Sequence, residues 1–136
     1  MIDEILDAFE ATDLHIGMDE VFLLGNPNSP STYGKDNALT YASVVNRFYN
    51  YFTKNKSVQL YMWGDRLIDA KVYSYGEWEA SMTGTAPAID MIPKDIVLCD
   101  WHYETRDNYP SVKMFLDKGF KVLPTSYVNV DAAKKL

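Results

Sequence analysis

The sequence predicts an α/β domain built of parallel βα units. Three observations carry that class. Apolar residues switch repeatedly between helical and strand periodicity along the chain. Four short strand-like runs are separated by helix-like or loop-like segments, in a βαβα order that argues for a parallel sheet with helical crossovers. The length of 136 residues fits one domain, on a usual range of about 100–200 residues per domain.

The elements follow in order. Residues 2–11 place Ile2, Ile5, Leu6 and Phe9 at helical spacing with acids between them. Residues 14–19 read as a first strand. Residues 24–36 are rich in Gly, Asn, Pro and Ser and read as a loop. Asp36 or Asn37 can cap a long helix through about Asn55, with Leu39, Val44, Val45, Phe48 and Phe52 near one face. Residues 57–63 alternate strictly and predict a second strand. A connection of about 30 residues follows. Residues 95–101 predict a third strand. Pro110 suits a helix start and Gly119 its end. Residues 120–126 predict a fourth strand, and Asp131 caps a last helix of about one turn. The chain opens on a helix with no preceding strand, and four parallel strands leave two unpaired edges. The expectation is a single domain over residues 1–136 that is part of a larger α/β domain, or that completes itself by oligomerising.

Composition narrows the function. Net charge is −6 with no basic stripe, which argues against nucleic acid as a partner. No run approaches the ~20 apolar residues of a membrane span, so no membrane partner is expected. The acidic N-terminus is unlike an export signal. One cysteine, Cys99, leaves no internal disulfide framework and no cysteine-rich zinc site. It sits among apolar residues in a strand and reads as inert packing. Aromatic residues make up 14% of the chain. That fits binding of something flat and neutral, such as a sugar, or simply a large core.

The most informative segment is His15-Ile16-Gly17-Met18-Asp19-Glu20. Alternation puts Leu14, Ile16 and Met18 on one face and His15, Gly17 and Asp19 on the other. The second face is polar and contains a glycine, so it makes a poor buried layer. Glu20 follows at the strand's end and can turn toward the same mouth as Asp19. Two adjacent acids at the carboxyl end of a strand fit acid/base work, or an acidic surface loop.

This segment resembles the His-x-Gly-x-Asp-Glu strand of glycoside hydrolase family 20, the β-N-acetylhexosaminidases. Tyr61-Met62-Trp63-Gly64-Asp65 is similar to the next strand of those enzymes, which ends in a tryptophan. Ile92 through Val97 with Asp100-Trp101-His102-Tyr103-Glu104 is similar to the strand after it, and Gly119 through Pro124 to the one after that. The resemblance implies a partial (β/α)8 TIM barrel, its strands being approximately the fourth to the seventh. It also implies a substrate-assisted retaining mechanism, in which the 2-acetamido oxygen of the sugar attacks its own anomeric carbon. Glu20 would protonate the leaving oxygen and then activate water, and Asp19 would hold the acetamido N–H. No cofactor is implied. The family is often extracellular or periplasmic, and the localisation of this chain stays open.

The remaining candidates follow from that frame. Trp63 shares a strand face with Gln59 and Tyr61 and forms either a wall against the sugar or part of the core. Asp65 accepts a sugar hydroxyl, pairs with Arg66 or caps a helix. The long loop offers Trp78, for stacking or for anchoring, with Tyr73 and Tyr75 as anchors. Trp101, His102 and Tyr103 cluster at the third strand's end, and Tyr103 or Tyr127 would donate to the acetamido carbonyl. His15 and His102 match no metal spacing and read as orienting groups within the binding set. The expected partner is a carbohydrate substrate, with a homodimer through the edge strands as a further possibility. A non-catalytic carbohydrate-binding piece is the alternative. A flavodoxin-like module is disfavoured by the absence of a phosphate-cradling turn.

Overall fold

A computed structural model describes residues 1–136. Its elements are α1 (Ile2–Ala8), β1 (Asp13–His15), α2 (Asn37–Asn55), β2 (Gln59–Trp63), α3 (Gly76–Glu79), β3 (Val97–Trp101), α4 (Pro110–Asp117), β4 (Lys121–Thr125) and α5 (Val130–Lys135), with 3₁₀ turns at Asp65–Leu67 and Ala86–Asp90. The four strands form one parallel sheet in the order β1-β2-β3-β4. Each strand therefore lies beside its predecessor, with no reversal of direction along the sheet. A doubly wound sheet reverses at its switch point, and these four strands show no such reversal.

The two faces of the sheet differ. Leu60, Met62 and Leu98 point into one apolar core with Tyr41, Ala42, Val45 and Phe52 of α2 and Phe115 of α4; Leu14, Ile16 and Val122 pack on its margin. The other face is set by the register. His15 pairs with Tyr61, Trp63 with Cys99, Cys99 with Leu123, and Trp101 with Thr125. Trp63 and Tyr61 are half-buried there, and Lys121 and Leu123 are exposed. Helices thus cover one face and leave the other largely open. Cys99 is buried within this face, and burial pushes its thiol up to about 11.

Local chemistry explains the element boundaries, including those that differ from expectation. Asp36 accepts the Leu39 N–H at 2.9 Å and caps α2. The buried stripe of α2 is Ala38, Tyr41, Ala42, Val45 and Phe52, while Leu39 and Val44 face solvent. The helix is thus rotated from the face expected, with Ala38, Tyr41 and Ala42 buried in place of Leu39 and Val44. The last helix is capped by Asn129, not Asp131. Its side chain accepts the N–H groups of Asp131 and Ala132. Pro110 opens α4, and Gly119 follows it at φ +86°. Pro124, which has no N–H to give, sits in the outer strand β4, where none is needed on the free side.

The first strand is shorter than its pattern. It ends at His15, because Gly17 and Met18 adopt φ of +71° and +76°. Ile16 N–H still reaches Tyr61 O and Trp63 N–H reaches Gly17 O, at 2.9 and 3.0 Å. The long connection between β2 and β3 is ordered by the two 3₁₀ turns, by α3 and by an isolated parallel bridge between Asp69 and Ser81. No helix is long and apolar enough to cross a membrane.

Candidate functional site

The carboxyl ends of the strands gather most of the residues singled out above. The segment after β1 turns sharply there. Gly17, Met18 and Glu20 all have positive φ, the last at +51°. Only glycine adopts that region without cost, so two of these three residues are strained. Hydrogen bonds hold the turn. The Tyr41 hydroxyl donates to Met18 O at 2.8 Å, and the Glu20 N–H donates to Asp65 Oδ2 at 3.0 Å. Asp19 and Glu20 themselves are exposed, with their carboxylates free of ion pairs.

Aromatic rings flank this turn. His15 lies 4.8 Å from Trp63, centroid to centroid. The Gly17 N–H donates to His15 Nδ1 at 3.1 Å, which leaves the ring proton on Nε2. Partial burial lowers the His15 pKa, against the opposing pull of Asp19. Trp101 stands 4.9 Å from Tyr103, and Tyr103 stands 5.5 Å from Tyr127. The Tyr103 hydroxyl is raised by burial, then by the negative charges of Glu20 and Asp19. Trp78 is 58% exposed and meets Phe22 edge to face at 5.2 Å. Phe22 belongs to the turn segment, so Trp78 packs against that segment.

Two expected substrate contacts are corrected. Asp65 and His102 are 2% and 0% exposed, so neither meets a ligand at the surface. The Asp65 carboxylate turns inward to pair with Arg66 Nε at 2.7 Å. Burial raises its pKa, while the Glu20 N–H and the Arg66 charge oppose the rise. A third candidate, Trp101, is buried as well at 8% exposure, while Tyr103, against which it packs, is exposed.

His102 lies on the helix side of the sheet in a sealed polar network. Its Nδ1 meets Glu79 Oε2 at 2.6 Å, and its Nε2 meets Ser111 Oγ at 2.9 Å and Asp100 Oδ1 at 3.2 Å. Ser111 donates to Asp100 Oδ2 at 2.7 Å, and Arg106 donates to Glu79 at 2.9 Å. Burial acts to lower the His102 pKa, but hydrogen bonds to Asp100 and Glu79 outweigh it and raise it. A serine, a histidine and an acid in contact invite comparison with a nucleophilic triad. Ser111 is fully buried and its hydroxyl donates its hydrogen bond to Asp100, so no substrate reaches it. The cluster is a clasp joining α3, β3 and α4. No group of three or more His, Cys, Asp or Glu residues is arranged to hold a metal ion.

Sequence reasoning named Arg66 only as a partner for Asp65 and gave Tyr41 no role. Arg66 is fully buried and its Nη2 donates to the carbonyls of Glu77, Trp78 and Ala80, at 2.7, 2.7 and 3.0 Å. The signal available was an Asp-Arg pair one residue past a strand, where a buried charge needs a neighbour. Tyr41 falls at helical spacing with Val45, but nothing in the pattern says which loop its hydroxyl meets. No protein-family model matches the chain, and no curated protein matches it.

Proposed function

We propose that this chain carries the acid/base half of a β-N-acetylhexosaminidase-like site, within part of a (β/α)8 barrel. The observation that carries the reading is the placement of Asp19 and Glu20. They lie just past the carboxyl end of β1, exposed and free of ion pairs, on a strained turn whose Gly17 O accepts the Trp63 N–H. Sequential strand order with helices on one face supports the barrel reading. In that frame the open face of the sheet lines the barrel interior. The free edges of β1 and β4 accept the remaining wall, or a second copy of the chain.

The chemistry needs little more from these residues. Glu20 protonates the leaving oxygen and then takes a proton from water. Asp19 receives the acetamido N–H and stabilises the positive charge that develops as the acetamido oxygen attacks. A general acid contributes about 10²–10⁴-fold, and a tethered nucleophile adds the advantage of proximity. Trp63 and Tyr103 supply flat apolar surface for the sugar ring and a hydroxyl donor.

The test is hydrolysis of an aryl N-acetylglucosaminide by the wild-type chain and by Glu20→Gln. The expected outcome is a loss of about 100-fold or more in the variant. Equal rates would contradict the acid role. A second reading, carbohydrate binding without turnover, is favoured by the exposure of both carboxylates. It is assigned if N-acetylglucosamine quenches tryptophan fluorescence while neither protein turns over substrate.

A further inference from the structure

At the end of β2, directly after Gly64, an acid and a base are both withdrawn from water: Asp65 is 2% exposed and Arg66 is 0%. Burying two charges is expensive, and an apolar pair of similar volume is often as stable. The geometry shows what the charged pair accomplishes. One oxygen, Asp65 Oδ2, accepts both the Glu20 N–H at 3.0 Å and Arg66 Nε at 2.7 Å. The guanidinium then donates to carbonyls on both sides of Trp78 and at Trp78 itself. Its plane also lies over the Phe22 ring, 4.8 Å from the centroid. Phe22, two residues after Glu20, closes the circuit by packing edge to face on Trp78. The Arg66 carbonyl is itself fixed by the Thr85 hydroxyl at 2.7 Å. A lysine has neither the planar fork nor the reach to hold three carbonyls and a carboxylate together.

We propose that Asp65 and Arg66 are positioning residues that lock the Glu20 turn and the Trp78 segment to each other, so that acid and indole keep one fixed relation at the mouth. This inference rests on reading Asp19 and Glu20 as the reactive pair. It predicts coupled behaviour of two segments that no regular secondary structure joins. Neither residue touches substrate; both act through Glu20 and Trp78.

Residue-resolved amide hydrogen exchange in Asp65→Asn and Arg66→Lys tests the proposal. An asparagine offers a neutral oxygen in place of the carboxylate, and a lysine loses the fork. In both variants protection at the Glu20 and Ala80 amides falls together by about tenfold, the size of one lost bond to a charged group. Leu98 and Phe115, in the core, keep theirs. Loss in one segment alone, or equal loss throughout the chain, overturns the proposal. Should neither variant fold, the wild-type chain decides it by an NMR acid titration. The Glu20 and Ala80 amides then share one transition with its midpoint above the ordinary aspartate value because burial raises Asp65, beside whatever the Asp19 and Glu20 carboxylates add at the Glu20 amide. Separate midpoints, or none, overturn it. The Glu20→Gln assay reports on the site independently. Coupled exchange without sugar binding would sink the functional reading and keep the lock. Uncoupled exchange with Glu20-dependent turnover would do the reverse.

Discussion

Gly64 shows how closely a single residue is specified at this site. It lies between Trp63 and Asp65, and its N–H donates to Cys99 O at 2.9 Å. A Cβ built there would sit 2.9 Å from two atoms of the Phe115 ring, which is fully buried in the core. Its φ of −91° is open to any residue, so the constraint is space and not backbone strain. Gly64→Ala is expected to cost about 1–3 kcal/mol, as overpacking does, and urea denaturation measures it. An unchanged midpoint would mean that Phe115 moves freely, against the packing described. The same scale shows what strand alternation can and cannot tell. Alternation places His15 and Trp63 on the face opposite the core, and the structure places them there together. It says nothing of residues beyond a strand's last pair. Asp65 and His102 both lie past a strand end, and both turn inward to buried partners that the sequence pattern does not reveal.

Among the elements, α2, α4 and the four strands were legible because capping residues, Pro110, Gly119 and period-2 runs each have a local cause. The shortened β1 was not, since Met18 and Glu20 are ordinary residues forced to positive φ by bonds to distant Tyr41 and Asp65. The connection between β2 and β3 was also opaque. Its order comes from Arg66 and from the His102 clasp, which ties Glu79 of α3 to Asp100 of β3 and Ser111 of α4. That clasp predicts a pH dependence. The folded-state pKa of His102 is raised, so its contribution is complete below the ordinary histidine value of about 6.5. It is lost as pH rises through the raised folded value. His102→Gln should cost about 3–5 kcal/mol at pH 6, the scale for removing one partner of a buried charged cluster. The gap between variant and wild type should narrow as pH rises toward 9. Denaturation at both pH values checks this, and a gap independent of pH would show that His102 is neutral in the fold.

At the scale of the whole molecule, the sheet has one face sealed by helices and one face lined by Tyr61, Trp63, Leu123 and Lys121 at varied exposure. The βα alternation in the sequence predicts parallel strands with right-handed crossovers, but their sequential order, which puts the helices on one side, is known only from the structure. What gathers at one end of the open face is not written in periodicity: two free carboxylates, a histidine–tryptophan pair and the Trp101–Tyr103–Tyr127 run. The most direct measurement is an NMR titration of the wild-type chain with N-acetylglucosamine, run beside glucose, which lacks the acetamido group. The account predicts that amides 17–20, the Trp63 indole and Tyr103 shift together with N-acetylglucosamine and much less with glucose. Shifts confined to other surfaces, or none at any sugar concentration, would contradict it.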